Sequence, residues 1–123
     1  MIEITFDLFD DDGYPTEEVI NYIEEFPWQE DYNKFLDFIR QLWSFSEWGW
    51  EKGEPEVDYY TSYGGVPTKR TKTPYRVSTA GWSGNEMLVA AMERNIMFWN
   101  TTWVSSRRGG HYEFEITVLE DAE

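Results

Sequence analysis

The sequence predicts an α+β fold: a single domain with a mostly antiparallel sheet of about five strands and about three helices, in the order β-α-α-β-β-α-β-β. Three observations carry this expectation. Apolar residues recur every three or four positions in three separate segments, the period of an amphipathic helix. They recur at every second position in others, the period of a half-buried strand. Turn residues join neighbouring strands closely enough for hairpins, which places the helices together on one face of the sheet.

In chain order, Ile2, Ile4, Phe6 and Leu8 alternate with Glu3, Thr5 and Asp7, and Asp10-Asp11-Asp12-Gly13 closes that strand with a turn. Pro15-Thr16-Glu17-Glu18 opens a helix, with Thr16 as cap and two acids at the positive end of the helix dipole. Val19, Ile20, Ile23 and Phe26 share one face, and Pro27 stops the helix. A second helix starts near Glu30-Asp31 and carries Tyr32, Phe35, Leu36, Ile39, Leu42 and Trp43 on one side. It is expected to fray over residues 44–50 and to end by Gly53 or Pro55.

Val57, Tyr59 and Thr61, then Tyr75, Val77 and Thr79, alternate as two strands. Between them, residues 63–73 hold Gly64-Gly65, Pro67 and the bases Lys69, Arg70 and Lys72, and read as a long mobile hairpin loop. A third helix spans about 84–94 and buries Leu88, Ala91 and Met92. Residues 96–105 carry two patterns. Leu88, Met92, Asn95, Ile96 and Trp99 extend the helix, whereas Phe98, Trp99, Thr101, Thr102, Trp103 and Val104 are strand formers; propensity favours a strand from about Met97. The last strand is the clearest, with Tyr112, Phe114, Ile116 and Val118 set against His111, Glu113, Glu115 and Thr117, after a turn at Gly109-Gly110. Residues 1–119 form the domain, and 120–123 are expected to be a disordered acidic tail.

Composition narrows the function more by exclusion than by indication. The chain has 123 residues, of which 41% are hydrophobic and 19% aromatic, so a core is readily built and some rings are left to act as surface anchors or half-buried strand residues. It has no Cys, which removes disulfides, thiolate nucleophiles and Cys-based metal sites. No apolar run approaches the ~20 residues of a membrane span. The expectation is a soluble, cytoplasmic protein that avoids membranes.

Charge is distributed very unevenly. The net charge is −14, and residues 1–60 carry all of it: 17 acids against 3 bases there, 7 against 7 in the rest. Such a balance opposes duplex DNA binding by bulk charge and points to a partner with a basic surface, with the acids as a possible mimic of nucleic acid; plain solubility explains the same acids without a partner.

Four motifs suggest chemistry, and each also has a structural explanation. Gly81-Trp82-Ser83-Gly84-Asn85 falls one glycine short of a nucleophile elbow. Ser83 and Glu86 fit a capping box better, with Trp82 and Met87 as its hydrophobic staple. Asp10-Asp11-Asp12-Gly13 resembles a calcium loop, but in that register the first and last ligands would be Leu8 and Val19, both apolar. Ser105-Ser106-Arg107-Arg108-Gly109-Gly110-His111 offers two guanidinium forks, hydroxyls and the sole His to a phosphate or carboxylate, or is simply a hairpin turn paired with acids. Lys69-Arg70-Thr71-Lys72 suits phosphate contact or a solvated loop.

Thr79-Ala80-Gly81-Trp82-Ser83-Gly84-Asn85-Glu86, Met97-Phe98-Trp99 and Ser106-Arg107-Arg108-Gly109-Gly110-His111-Tyr112-Glu113-Phe114-Glu115-Ile116 resemble strings in a family of small proteins of tailed phages infecting actinobacteria. The likeness covers roughly the last 40 residues and extends to Gly13-Tyr14-Pro15-Thr16-Glu17-Glu18. It implies phage origin, a role during infection and residence in the host cytoplasm. It implies no chemistry and no catalytic residue.

Three function classes follow. The first is a non-enzymatic phage accessory protein that binds and modulates a basic host protein, as an inhibitor or anti-defence factor, through Asp10, Asp11, Asp12, Glu17, Glu18, Trp28, Trp48 and Trp50. The second binds a small anion or nucleotide through Arg107, Arg108, His111, Trp99 and Trp103. The third, a minor virion protein, has no repeat or coiled coil behind it. No catalytic residue, metal ligand set or cofactor motif is selected, so the reading leans against an enzyme.

Overall fold

The structure, a computed structural model, describes residues 5–122. Helix α1 (Glu17–Glu25) begins where Thr16 Oγ1 accepts the Val19 amide at 3.3 Å. Helix α2 (Tyr32–Leu42) begins where the Asp31 carboxylate accepts the Asn33 amide at 2.8 Å. A one-turn helix α3 (Ser46–Gly49) leads into strands β1 (Trp50–Lys52), β2 (Glu56–Thr61) and β3 (Pro67–Ser78). Helices α4 (Ser83–Arg94) and α5 (Ile96–Thr102) follow, then β4 (Trp103–Arg107) and β5 (His111–Asp121).

All strand pairs are antiparallel, in a five-stranded sheet of an α+β domain. Strand β3 lies centrally. Strands β1 and β2 share one of its edges end to end, and β5 pairs along the other from Thr68↔Asp121 to Ser78↔His111. The short β4 covers only the start of β5. Thr73, Tyr75 and Val77 of β3 and Phe114 and Ile116 of β5 are buried on one face, under Ile23, Phe35, Leu36, Leu88, Met92 and Phe98 of the helices. Each such large apolar side chain contributes about 1.5–3 kcal/mol when fully buried. Residues between them in sequence point to the open face, where ion pairs cross the strands: Asp58–Arg70, Lys72–Glu115 at 3.9 Å and Arg107–Glu113 at 3.4 Å.

Several local expectations are corrected. Of the first strand, Ile2 and Ile4 lie outside the described residues. Residues 5–8 are not in the sheet; Phe6 and Leu8 pack on the helical core instead, Phe6 against Tyr22. The expected loop over residues 63–73 is mostly strand, since β3 starts at Pro67 and only 62–66 form the turn. Two of its bases find acids on the neighbouring strands, Arg70 with Asp58 directly opposite and Lys72 with Glu115 on the diagonal, which removes the reason for a solvated loop. The expected fraying after α2 is an ordered turn through Phe45, whose φ of 64° is left-handed, into α3.

The expected strand from Met97 is helix until Thr102. Asn95 decides this: its Oδ1 accepts the Phe98 amide at 3.2 Å and starts a new helix, while the Thr101 and Thr102 hydroxyls donate back to the carbonyls of Met97 and Phe98. Among the described residues there are therefore five helices, more than the three expected. Ser83 is the first residue of α4, not its cap; it donates to the Tyr14 hydroxyl at 3.1 Å, so the capping box does not form. Glu120 and Asp121, expected in a disordered tail, are paired with Lys69 and Thr68 as part of β5.

Candidate functional site

The acidic N-terminal residues form a built surface. Asp10 folds its own turn, its carboxylate accepting the amides of Asp12 at 2.9 Å and Tyr14 at 3.0 Å. Tyr14 stacks on Trp82 with ring centroids 5.2 Å apart, which pins the turn to the start of α4. Asp10, Asp11, Asp12, Glu17 and Glu18 are all exposed. Among the described residues none of the five has a cation within ion-pair distance.

The three tryptophans expected as anchors part ways. Trp28, in the α1–α2 connection, is 60% exposed, and Trp48 is 67% exposed and stacked on Phe45 at 5.6 Å. Trp50 is no anchor. It is the inward-facing residue of β1, buried edge-on against Trp43 at 5.3 Å.

Two grooves flank the sheet. The larger, about 700 Å³, runs between the α1–α2 connection and β5, and is lined by Trp28, Glu30, Asp31, Tyr32, Ile116 and Val118, among others. The hydroxyl of Tyr32 is shielded from solvent and has no hydrogen-bond partner among the described residues. Burial holds that phenol above its ordinary pKa, because the site opposes a phenolate. The smaller groove, about 270 Å³, lies on the open face between Trp48, Glu51, Arg76, Arg107, His111 and Glu113.

The five residues expected to form an anion site are not brought together. Arg107 and His111 face each other across the β4–β5 hairpin on the open face, with Arg108 exposed in the turn. Trp99 and Trp103 lie on the helix-covered side. Their rings stack at 6.4 Å, Trp99 sits edge-on to buried Phe114, and Trp103 Nε1 donates to Ser106 Oγ at 2.7 Å. The sheet separates the rings from the guanidiniums. Residues not anticipated join Arg107 and His111 instead. The register Glu51↔Arg76↔Glu113 delivers Arg76, and the turn at Phe45 delivers Trp48. Alternation within each strand showed which residues share a face, but the pairing of β1 with β3 could not be read from spacing.

The basic stretch from Lys69 to Arg76 is built into β3. The Asp58 carboxyl is held below its ordinary pKa by its hydrogen bonds from Arg70, as expected of a charge-assisted fork. Among the described residues, no group of three or more His, Asp or Glu side chains is arranged to hold a metal ion, and no helix is long and apolar enough to cross a membrane. Searches of protein-family models, curated proteins and solved structures find no match to this chain.

Proposed function

We propose that this protein works without catalysis, by binding the basic surface of a partner protein, and that the partner is a host protein engaged during phage infection. The observation that carries the binding part is the larger groove, where an exposed aromatic anchor, Trp28, stands beside two exposed acids, Glu30 and Asp31. Aromatic anchors supply affinity, and unpaired acids nearby steer and select a cationic partner. The exposed acids Asp10, Asp11, Asp12, Glu17 and Glu18, at the other end of α1, add to the negative potential that steers such a partner. The phage and host elements rest on the resemblance of the C-terminal strings alone.

The test is kinetic. With a partner captured from an actinobacterial host lysate, neutralising those five acids to Asn or Gln should slow association about tenfold at low salt and flatten its salt dependence, leaving dissociation nearly unchanged. Trp28→Ala should instead speed dissociation. Association that ignores both salt and the five substitutions would leave the acids as solubility groups and end this reading.

One observation favours a second reading. Arg76, Arg107 and His111 converge with Trp48 in the smaller groove, a set of donors and a ring suited to a small anion or nucleotide. That reading expects calorimetric binding of a nucleotide that is lost in Arg76→Ala and Arg107→Ala and unaffected by the N-terminal acids.

A further inference from the structure

We infer that the larger groove takes an extended, basic segment of the partner as an added strand on the free edge of β5. The inference rests on the proposed basic-partner reading and specifies how that partner is held. Strand β4 pairs with β5 only from His111 to Phe114, and then turns away into α5. Residues 115–121 of β5 remain paired to β3 on one side and, among the described residues, have no strand on the other. Every second backbone amide and carbonyl there points outward, a ready template for another strand.

The groove follows this edge. Four consecutive residues, Ile116, Thr117, Val118 and Leu119, line it. Successive strand residues point to opposite faces, so only a groove along the edge touches all four. Natural sheets guard such edges with charge, yet these four are uncharged, and the acids Glu115, Glu120 and Asp121 stand only at the ends. The opposite wall is the α1–α2 connection, with Trp28, Glu30 and Asp31. A strand laid there gains main-chain hydrogen bonds from β5, side-chain contact with Trp28, and two carboxylates for its cations. Of the other sheet edges, β1 and β4 are only three and five residues long, and β2 is exposed along its whole length and lines none of the described grooves.

A second copy of the chain fits this edge poorly. Antiparallel self-pairing centred on Val118 would set Glu115 opposite Asp121 and Ile116 opposite Glu120, between two molecules each of net charge −14. Like charges directly opposite are destabilising. A cationic strand instead meets Glu115, Glu120 and Asp121 with opposite charge.

The probe is an acetylated, amidated heptapeptide alternating Lys and Val, with two analogues N-methylated at either the Lys or the Val positions. In strand addition only alternate residues of the guest bond to the host edge. One analogue should therefore bind at least about twentyfold more weakly, and the other within about threefold of the parent. Trp28→Ala should weaken binding at least about fivefold, and Glu30→Gln with Asp31→Asn about tenfold at low salt; the Asn keeps the α2 cap. Amide exchange within residues 115–121 should slow on binding. Equal losses for both analogues, or protection confined to the acidic turn and α1, overturns strand addition while leaving charge-steered docking intact. No binding at millimolar peptide overturns it as well. A dimer of the free protein that already protects residues 115–121 assigns the edge to a second copy and overturns it too. Failure of basic-partner binding altogether shows separately, as loss of the salt and acid dependence with the captured partner.

Discussion

Asn85 and Asn95 are both buried and both spend their amides on the backbone of other elements. Asn85 Oδ1 accepts the Ser44 amide at 2.9 Å, and its Nδ2 donates to the carbonyls of Ser44 and Thr79. Asn95 Nδ2 donates to the Ile23 and Phe26 carbonyls, both at 3.0 Å, at the end of α1, while its Oδ1 caps α5. A buried backbone group left unpaired costs about 1–3 kcal/mol. Asn95→Ala is therefore expected to lose about 3 kcal/mol in urea unfolding, and Asn85→Ala a similar amount. Ser83→Ala, exposed and bonded only to the Tyr14 hydroxyl, should lose less than about 0.5 kcal/mol. A cost near 1 kcal/mol for Ser83 would show that it caps α4 in solution after all.

The tyrosines set a pH limit. Burial, aided by nearby acids at Tyr22, Tyr75 and Tyr112, holds Tyr22, Tyr32, Tyr75 and Tyr112 above their ordinary value of 10.0. The folded state then keeps protons that the unfolded state releases. Stability from these groups is complete below pH 10 and falls as pH rises from 10 through the raised native values. Urea midpoints should drop steadily above pH 10, and Tyr75→Phe, which removes the most strongly shifted phenol and its bond to Asn33, should flatten that drop.

Elements here are set by a few backbone devices at their junctions. The β4–β5 hairpin turns on Gly109 and Gly110, at φ of 95° and 80°. A Cβ at Gly110 would also lie 2.1 Å from Oγ1 of buried Thr79, whose amide donates to the Gly110 carbonyl. At Gly64 the φ is positive too, but the space is open. Both Gly→Ala changes incur left-handed strain of about 1 kcal/mol. Gly110→Ala adds a steric clash and should cost at least about 1 kcal/mol more than Gly64→Ala. Equal thermal midpoints for the two variants would mean that Thr79 moves aside freely. The open sheet face is likewise an element-level device, because its ion pairs tie Arg70 and Lys72 of β3 and Arg107 of β4 to acids of neighbouring strands.

The excess of acids makes the protein electrostatically strained as a unit. A net −14 on 123 residues favours expansion through self-repulsion. The five ion pairs among the described residues all involve partly exposed side chains, where solvent screens most of their attraction. Salt weakens both, but the repulsion is the larger and longer-ranged sum. Raising salt from 20 to 500 mM should therefore raise the melting temperature, and the five-acid neutralised variant should show a smaller rise. A melting temperature that falls with salt would mean that the exposed pairs outweigh the repulsion.

Much of this architecture was legible in the order of residues. The α+β class, the cap at Thr16, the start of α2 near Asp31, the faces of α1, α2 and α4, the β5 strand with its Gly109-Gly110 turn, and the segregation of charge all follow from periods of 2 and 3.6 and from local backbone chemistry. Those signals act over a few residues, so they are visible in a few residues. What distant contacts decide was hidden. Asn95 starts α5 against a strand-forming sequence because it clamps the end of α1, more than sixty residues away. Arg70 and Lys72 sit in a strand because Asp58 and Glu115 lie across from them. The candidate sites are of this second kind. Trp28 meets the edge of β5, and Arg76 meets Trp48, only through packing and strand register, because proximity in a folded chain is settled by burial shared among elements and leaves no local period to read.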